Sequence, residues 1–166
     1  MSVLSSPFCH APINTNHLDM CVQYINGLIP FHQPPLISGI FSLDAKKVVP
    51  YLPMMVNLYP LPQCASTLSE YILHILADQD QHSKALVSAL CDAGILTMIA
   101  STICDLGPSV PPSVVIVLAQ IIMTFDKPTP ILIEQATEIL NSIFSIDSAA
   151  ESGLIIASHL ARLSKD

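Results

Sequence analysis

The residues of this chain that could do chemistry are few, and most are poorly spaced for it. Cys9, His10, His17 and Cys21 are a grouping of metal-ligand types. His17 and Cys21 stand four apart on an expected helix, so both can face one ligand position. Zinc takes four donors in a tetrahedral array, and the adjacent Cys9 and His10 are badly placed to supply two of them. A buried thiol with surface imidazoles describes these residues better, and no metal site is expected. Asp78, Asp80 and His82 alternate at an interhelical turn. Calcium loops use more oxygen donors and a glycine bend. The two carboxylates read instead as caps that accept amide hydrogen bonds at the start of the next helix.

Nucleophilic chemistry has no frame either. The sequence holds no Gly-x-Ser-x-Gly elbow and no glycine-rich phosphate loop, and only five glycines in all. Cys91 and Cys104 are expected on apolar helix faces, where thiols are inert. His74 and His159 each stand alone, and Glu134 with Glu138 reads as a solvated helix face rather than an acid–base pair. The chain is therefore expected to be no enzyme and to need no cofactor.

Composition points towards binding. Hydrophobic residues make up 51% of the 166 residues and charged residues 11%, where about a quarter of a soluble domain is normally charged. The longest apolar run, Val114 to Phe125, is broken by Gln120 and falls short of the roughly 20 residues that a membrane-spanning helix needs. The first residues carry no basic segment and include Pro7 and Pro12, so no secretory signal is expected. The reading is a soluble, cytoplasmic chain whose surface is apolar enough to want a partner. Asp19, Asp44, Lys46 and Lys47 cancel in the first part, so the net charge of −7 falls in residues 64–166. Phosphate binding needs clustered Lys and Arg, so nucleic acid is excluded as a partner and basic proteins are favoured. The five cysteines are scattered, odd in number and without a CxxC pair, which fits reduced thiols acting mostly as small buried hydrophobes.

The elements must then be helices. Residues 1–62 hold nine of the fourteen prolines, so helices there are short: His17 to Leu28, Leu36 to Phe41, one starting near Leu43-Asp44, and Met54 to Tyr59. The prolines separate apolar segments, so this region is expected to pack rather than trail as a linker. From residue 63 the spacing becomes regular. A helix to Ala77 is expected, capped by Ser66 or Thr67 with Glu70 closing a capping box. Gln81 to Asp92 follows, then Gly94 in the left-handed position that ends helices, then Ile95 to Asp105. Further helices are Pro112 or Ser113 to Phe125 and Pro130 to Phe144. A short turn over Ser148 to Ser152 follows, with Gly153 leading into Leu154 to Leu163. No strand alternation is present, so the chain is all-α, with antiparallel helices in two layers.

The stretch Ser83 to Ile99, SKALVSALCDAGILTMI, resembles the armadillo repeat, in which a first helix meets a short apolar helix at an Ala-Gly corner. Ala149-Ala-Glu-Ser-Gly153-Leu-Ile-Ile looks like a second copy of that corner. Leu73 to Ala77, Leu118 to Ile122 and Leu140 to Phe144 look like degenerate ends of the repeat's third helix. The resemblance covers residues 64–166 and implies an armadillo-like or HEAT-like α-solenoid of two to three irregular repeats. Residues 1–62 would then be a proline-rich region packed on it. The two corner glycines lie further apart than the roughly 40–47 residues of one such unit, which calls for an inserted or fused helix. The chain departs from peptide-binding armadillo proteins in having no Trp. Ile75, Gln120 and Ser142 stand where the repeat carries Asn, so a nuclear-import receptor is not implied.

The functional expectation is a scaffold or regulatory module that holds a peptide or helix of a partner protein. Gln120, Thr124, Glu138, Asn141 and Ser142 are the partner-facing candidates, on the helices ending at Phe125 and Phe144. The alternatives are an oligomerisation or end-capping domain, as a homo-oligomer or as part of a larger armadillo-type chain. A metal- or thiol-dependent enzyme is the third reading.

Overall fold

The computed structural model describes residues 22–23, 33–43, 45–77, 81–127 and 138–163. Among them every regular element is a helix. In chain order these are α1 (Gln33–Phe41), α2 (Ala45–Val48), a 3₁₀ segment (Val49–Leu58), α3 (Pro62–Leu76), α4 (Gln81–Asp92), α5 (Ile95–Leu106) and a 3₁₀ turn (Gly107–Ser109). There follow α6 (Pro112–Met123), α7 over the described residues 138–144, a second 3₁₀ turn (Asp147–Ala149) and α8 (Ala150–Leu163). The protein is all-α. No single described helix is long and apolar enough to cross a membrane.

Proline dictates the first part. Pro50 and Pro53 lack the amide hydrogens that an α-helix would use, and the chain there winds into one continuous 3₁₀ segment rather than a separate helix from Met54 to Tyr59. Leu52, Met55, Val56 and Leu58 are buried on it, and it packs against α4 and α5 while α1 packs on α3. Tyr59 is fully buried beside it, and its phenol oxygen lies 3.1 Å from the buried Ser69 hydroxyl of α3. Burial pushes the Tyr59 phenol well above its ordinary range, and the Ser69 hydrogen bond offsets part of that rise. Phe41 stacks on Tyr71, ring centroids 4.0 Å apart, which fixes α1 against α3.

Helix α3 starts earlier than the capping pattern implies. Pro62 occupies the first turn, where its missing amide costs nothing, and the preceding Leu61 is extended. The expected capping box is therefore not a cap. Thr67 donates back to the Gln63 carbonyl at 3.0 Å, and Ser66 donates to Glu70 at 2.9 Å within the helix.

Gly94 does what its position implies. It adopts φ 85°, ψ 24°, and its amide donates to the Cys91 carbonyl at 2.9 Å. That left-handed residue ends α4 and lets α5 leave at once, the two helices turning by 68° across the break.

Gly153 does not repeat this corner. It is buried inside α8, which begins at Ala150 and not at Leu154. A Cβ there would lie 2.8 Å from Phe144 Cε1 and 3.0 Å from Ile143 Cγ2. Its role is to let α7 and α8 cross closely, so the second armadillo-like corner is absent.

Helix α6 is the centre of the fold and packs on α3, α5 and α8. Val114, Val115, Val117, Leu118, Ala119, Ile121 and Ile122 are buried on it, each large one contributing about 1.5–3 kcal/mol by leaving water. Ser66 meets Ser113 near the starts of α3 and α6, while Leu76 shares a hollow with Gln120 and Met123 near their ends. These two helices therefore run parallel. At the far end of α6, His159 of α8 lies with Nε2 3.0 Å from the Phe125 carbonyl and Nδ1 2.9 Å from Arg162. A guanidinium only donates, so Nδ1 accepts and the imidazole proton sits on Nε2, donated to Phe125.

Candidate functional site

The five partner-facing candidates fall into two places. Gln120 and Thr124 border a hollow of about 320 Å³ between α3, α4 and the end of α6, together with Leu76, Lys84 and Met123. Gln120 is exposed, while Thr124 turns its hydroxyl inward to the Ile121 carbonyl at 2.7 Å, so that group is already committed. Lys84 and Asp126 close the rim with an exposed ion pair at 3.1 Å, the kind that contributes little to stability. A neighbouring hollow of about 420 Å³ lies between α4 and the end of α6, lined by Val87, Cys91, Leu96 and Phe125.

Glu138, Asn141 and Ser142 lie elsewhere, on α7 across from α5, in a cleft of about 500 Å³ with Thr97, Ser101 and Cys104. Ser142 donates to the Glu138 carbonyl at 2.8 Å, and its oxygen lies 3.0 Å from the Cys104 sulfur. The Ser142 hydroxyl proton is committed to that carbonyl, so the Cys104 thiol donates to the Ser142 oxygen. None of these hollows gathers all five candidates.

The cysteines divide differently from the sequence expectation. Cys64 is buried and Cys91 half-buried, but Cys104 is exposed at the α5–α7 cleft and not on an apolar face. Burial raises the Cys64 thiol above its ordinary range. Burial, with the Asp92 charge adding to it, pushes Cys91 up to about 11. Among the described residues no cluster of three His, Cys, Asp or Glu side chains could hold a metal. The grouping of Cys9, His10, His17 and Cys21 and the Asp78–Asp80 turn lie outside the described residues, as does Glu134.

The features missed in the sequence are apolar. Ile116 and Met123 are each 45% exposed and flank Gln120 at i−4 and i+3 on one stripe of α6. Phe144, Leu154 and Ile155 are also exposed. Gln120 was the available signal for the first pair, since its polar side chain marks the solvent side of a helix otherwise apolar all round. No protein-family model, curated protein or solved structure matches this chain.

Proposed function

We propose that the chain is a protein-binding helical module of the cytoplasm, holding a helix of a partner protein along the outer stripe of α6. The observation that carries the reading is the pairing of Ile116 and Met123, half-exposed, on either side of the exposed Gln120. Two apolar contacts seven residues apart, about 10.5 Å along the axis, with an amide between them suit a helix laid along them with anchors two turns apart. The net charge of −7 favours a partner helix with a basic outer face. Five scattered cysteines, odd in number and without a CxxC pair, suit a reducing compartment and so the cytoplasmic setting.

The finer architecture we propose is a short armadillo-like or HEAT-like stack in which α3 and α6 are equivalent helices of successive layers. Their parallel course and their shared opening on proline support it.

Affinity capture from the native source with wild-type chain and with Ile116→Glu and Met123→Glu tests the binding proposal. Both side chains are nearly half exposed, so helicity and melting temperature should hold. The expected outcome is a partner retained by the wild type and lost, by tenfold or more, from either variant. A partner retained equally by all three would remove the α6 stripe from the function.

A further inference from the structure

Helix α8 carries an outward face of its own. Glu151, Leu154, Ile155, Ser158 and Arg162 are all exposed, and at about 100° per residue they fall within an arc of roughly 100°. Leu154 is 62% exposed, the most of any large hydrophobic side chain described, and Ile155 is 42% exposed. The apolar pair is bracketed by a carboxylate at one end and a guanidinium at the other. Glu151 and Arg162 lie about 16 Å apart along the axis at 1.5 Å rise per residue, too far to pair within one helix. Arg162 gives one of its donors to His159 Nδ1 at 2.9 Å, which steadies the head and leaves other donors for a carboxylate. Among the described residues Glu151 makes no ion pair.

We propose that this face of α8 is a two-fold interface that receives the same helix of a second copy of the chain, running antiparallel. In an isologous contact, whatever residue i meets, the reverse contact forms at the same time. With the axis passing between residues 156 and 157, Glu151 of each copy meets Arg162 of the other at both ends. Leu154 and Ile155 of each copy then cover the other's centre around Ser158. Phe144, whose ring touches α8 at Gly153, extends the apolar border. A parallel pairing sets Glu151 against Glu151 and Arg162 against Arg162, so the charges select the antiparallel direction. The net charge of −7 on each copy opposes association at low ionic strength, and physiological salt, with a Debye length of about 8 Å, screens that long-range repulsion. The interface is small, which places it among weak and transient contacts.

Sedimentation velocity on the full chain, from about 1 to 200 μM at physiological salt, tests this. The expected result is a concentration-dependent passage from monomer to dimer. Leu154→Glu should weaken dimerisation by at least tenfold with circular dichroism and melting temperature unchanged, because the side chain is mostly in water. Glu151→Arg and Arg162→Glu should each weaken it at least tenfold, and the two together should restore it to within about threefold. A monomer throughout the range overturns the proposal, as does a dimer indifferent to Leu154→Glu. Single charge reversals that are not rescued by the swap overturn the antiparallel register. The variant Met123→Glu should leave the dimer intact, so failure of the α6 binding proposal and failure of this one are distinguishable.

Discussion

Replacing Gly153 by Ala separates two explanations of the same residue. If Gly153 were a left-handed corner, a Cβ would cost about 1–2 kcal/mol through the backbone, whatever stood nearby. The structure places it instead inside α8, at a helix crossing. There Ala is the better helix former by about 1 kcal/mol, while its Cβ would stand 2.8 Å from Phe144 Cε1 and 3.0 Å from Ile143 Cγ2. Overpacking of this kind costs about 1–3 kcal/mol. Phe144 is 46% exposed and its ring can swing away, but Ile143 is fully buried and cannot. The crossing therefore outweighs the propensity, and Gly153→Ala should destabilise by about 1 kcal/mol, lowering the melting temperature by about 2–4 °C in a chain of this size. In an Ile143→Ala background the contact that cannot yield is gone, and the Phe144 ring is free to turn aside. The same substitution should then be neutral or stabilising by up to about 1 kcal/mol. Denaturant unfolding of the four proteins in the cycle gives the coupling directly. An equal loss from Gly153→Ala in both backgrounds would refute the crossing and return Gly153 to the role of a corner.

Gly94 has φ 85° and open space around the position a Cβ would take, so Gly94→Ala should cost about 1–2 kcal/mol through the backbone alone. Gly94→Asn should recover part of that loss in denaturant unfolding, because Asn visits the left-handed region more readily. Cys91, pushed up to about 11, stays a thiol in the folded chain where the unfolded chain begins to ionise near its ordinary 9. Its stabilising share is therefore complete below pH 9 and is lost as pH rises from about 9 to about 11. Unfolding midpoints across pH 8–11 should fall more steeply for the wild type than for Cys91→Ala, and at pH 8 a maleimide should label exposed Cys104 before Cys91.

Much of the helical order is written locally. Gln81–Asp92 was expected with the bounds it has, because its apolar stripe, the break after it and Gly94 are all signals within one turn of each other. The Thr67–Glu70 pattern failed as a cap because Pro62 had already opened the helix one turn earlier. Gly94 and Gly153 have nearly the same neighbours in sequence, each followed by apolar residues. One is left-handed in open space and the other is pressed against Phe144. Nothing local distinguishes a glycine needed for its torsion from a glycine needed for its missing side chain.

The candidate site was legible only as separate residues. Gln120 was correctly placed on the outside of α6, since an amide amid valines and isoleucines has nowhere else to be satisfied. That it shares a hollow with Lys84, and that Glu138, Asn141 and Ser142 border a different cleft with Cys104, depends on helices distant in the chain. An all-helical chain, the breaks at Gly94 and at Gly107-Pro108, and the apolar character of α6 were all legible in the residues alone. The tertiary structure alone decided that α3 and α6 run parallel, that Gly153 lies at a crossing, and that Ile116, Met123, Leu154 and Ile155 face water. Exposure belongs to an assembly of surfaces and not to a residue type: on a helix that is apolar all round, only its neighbours decide which stripe is left uncovered.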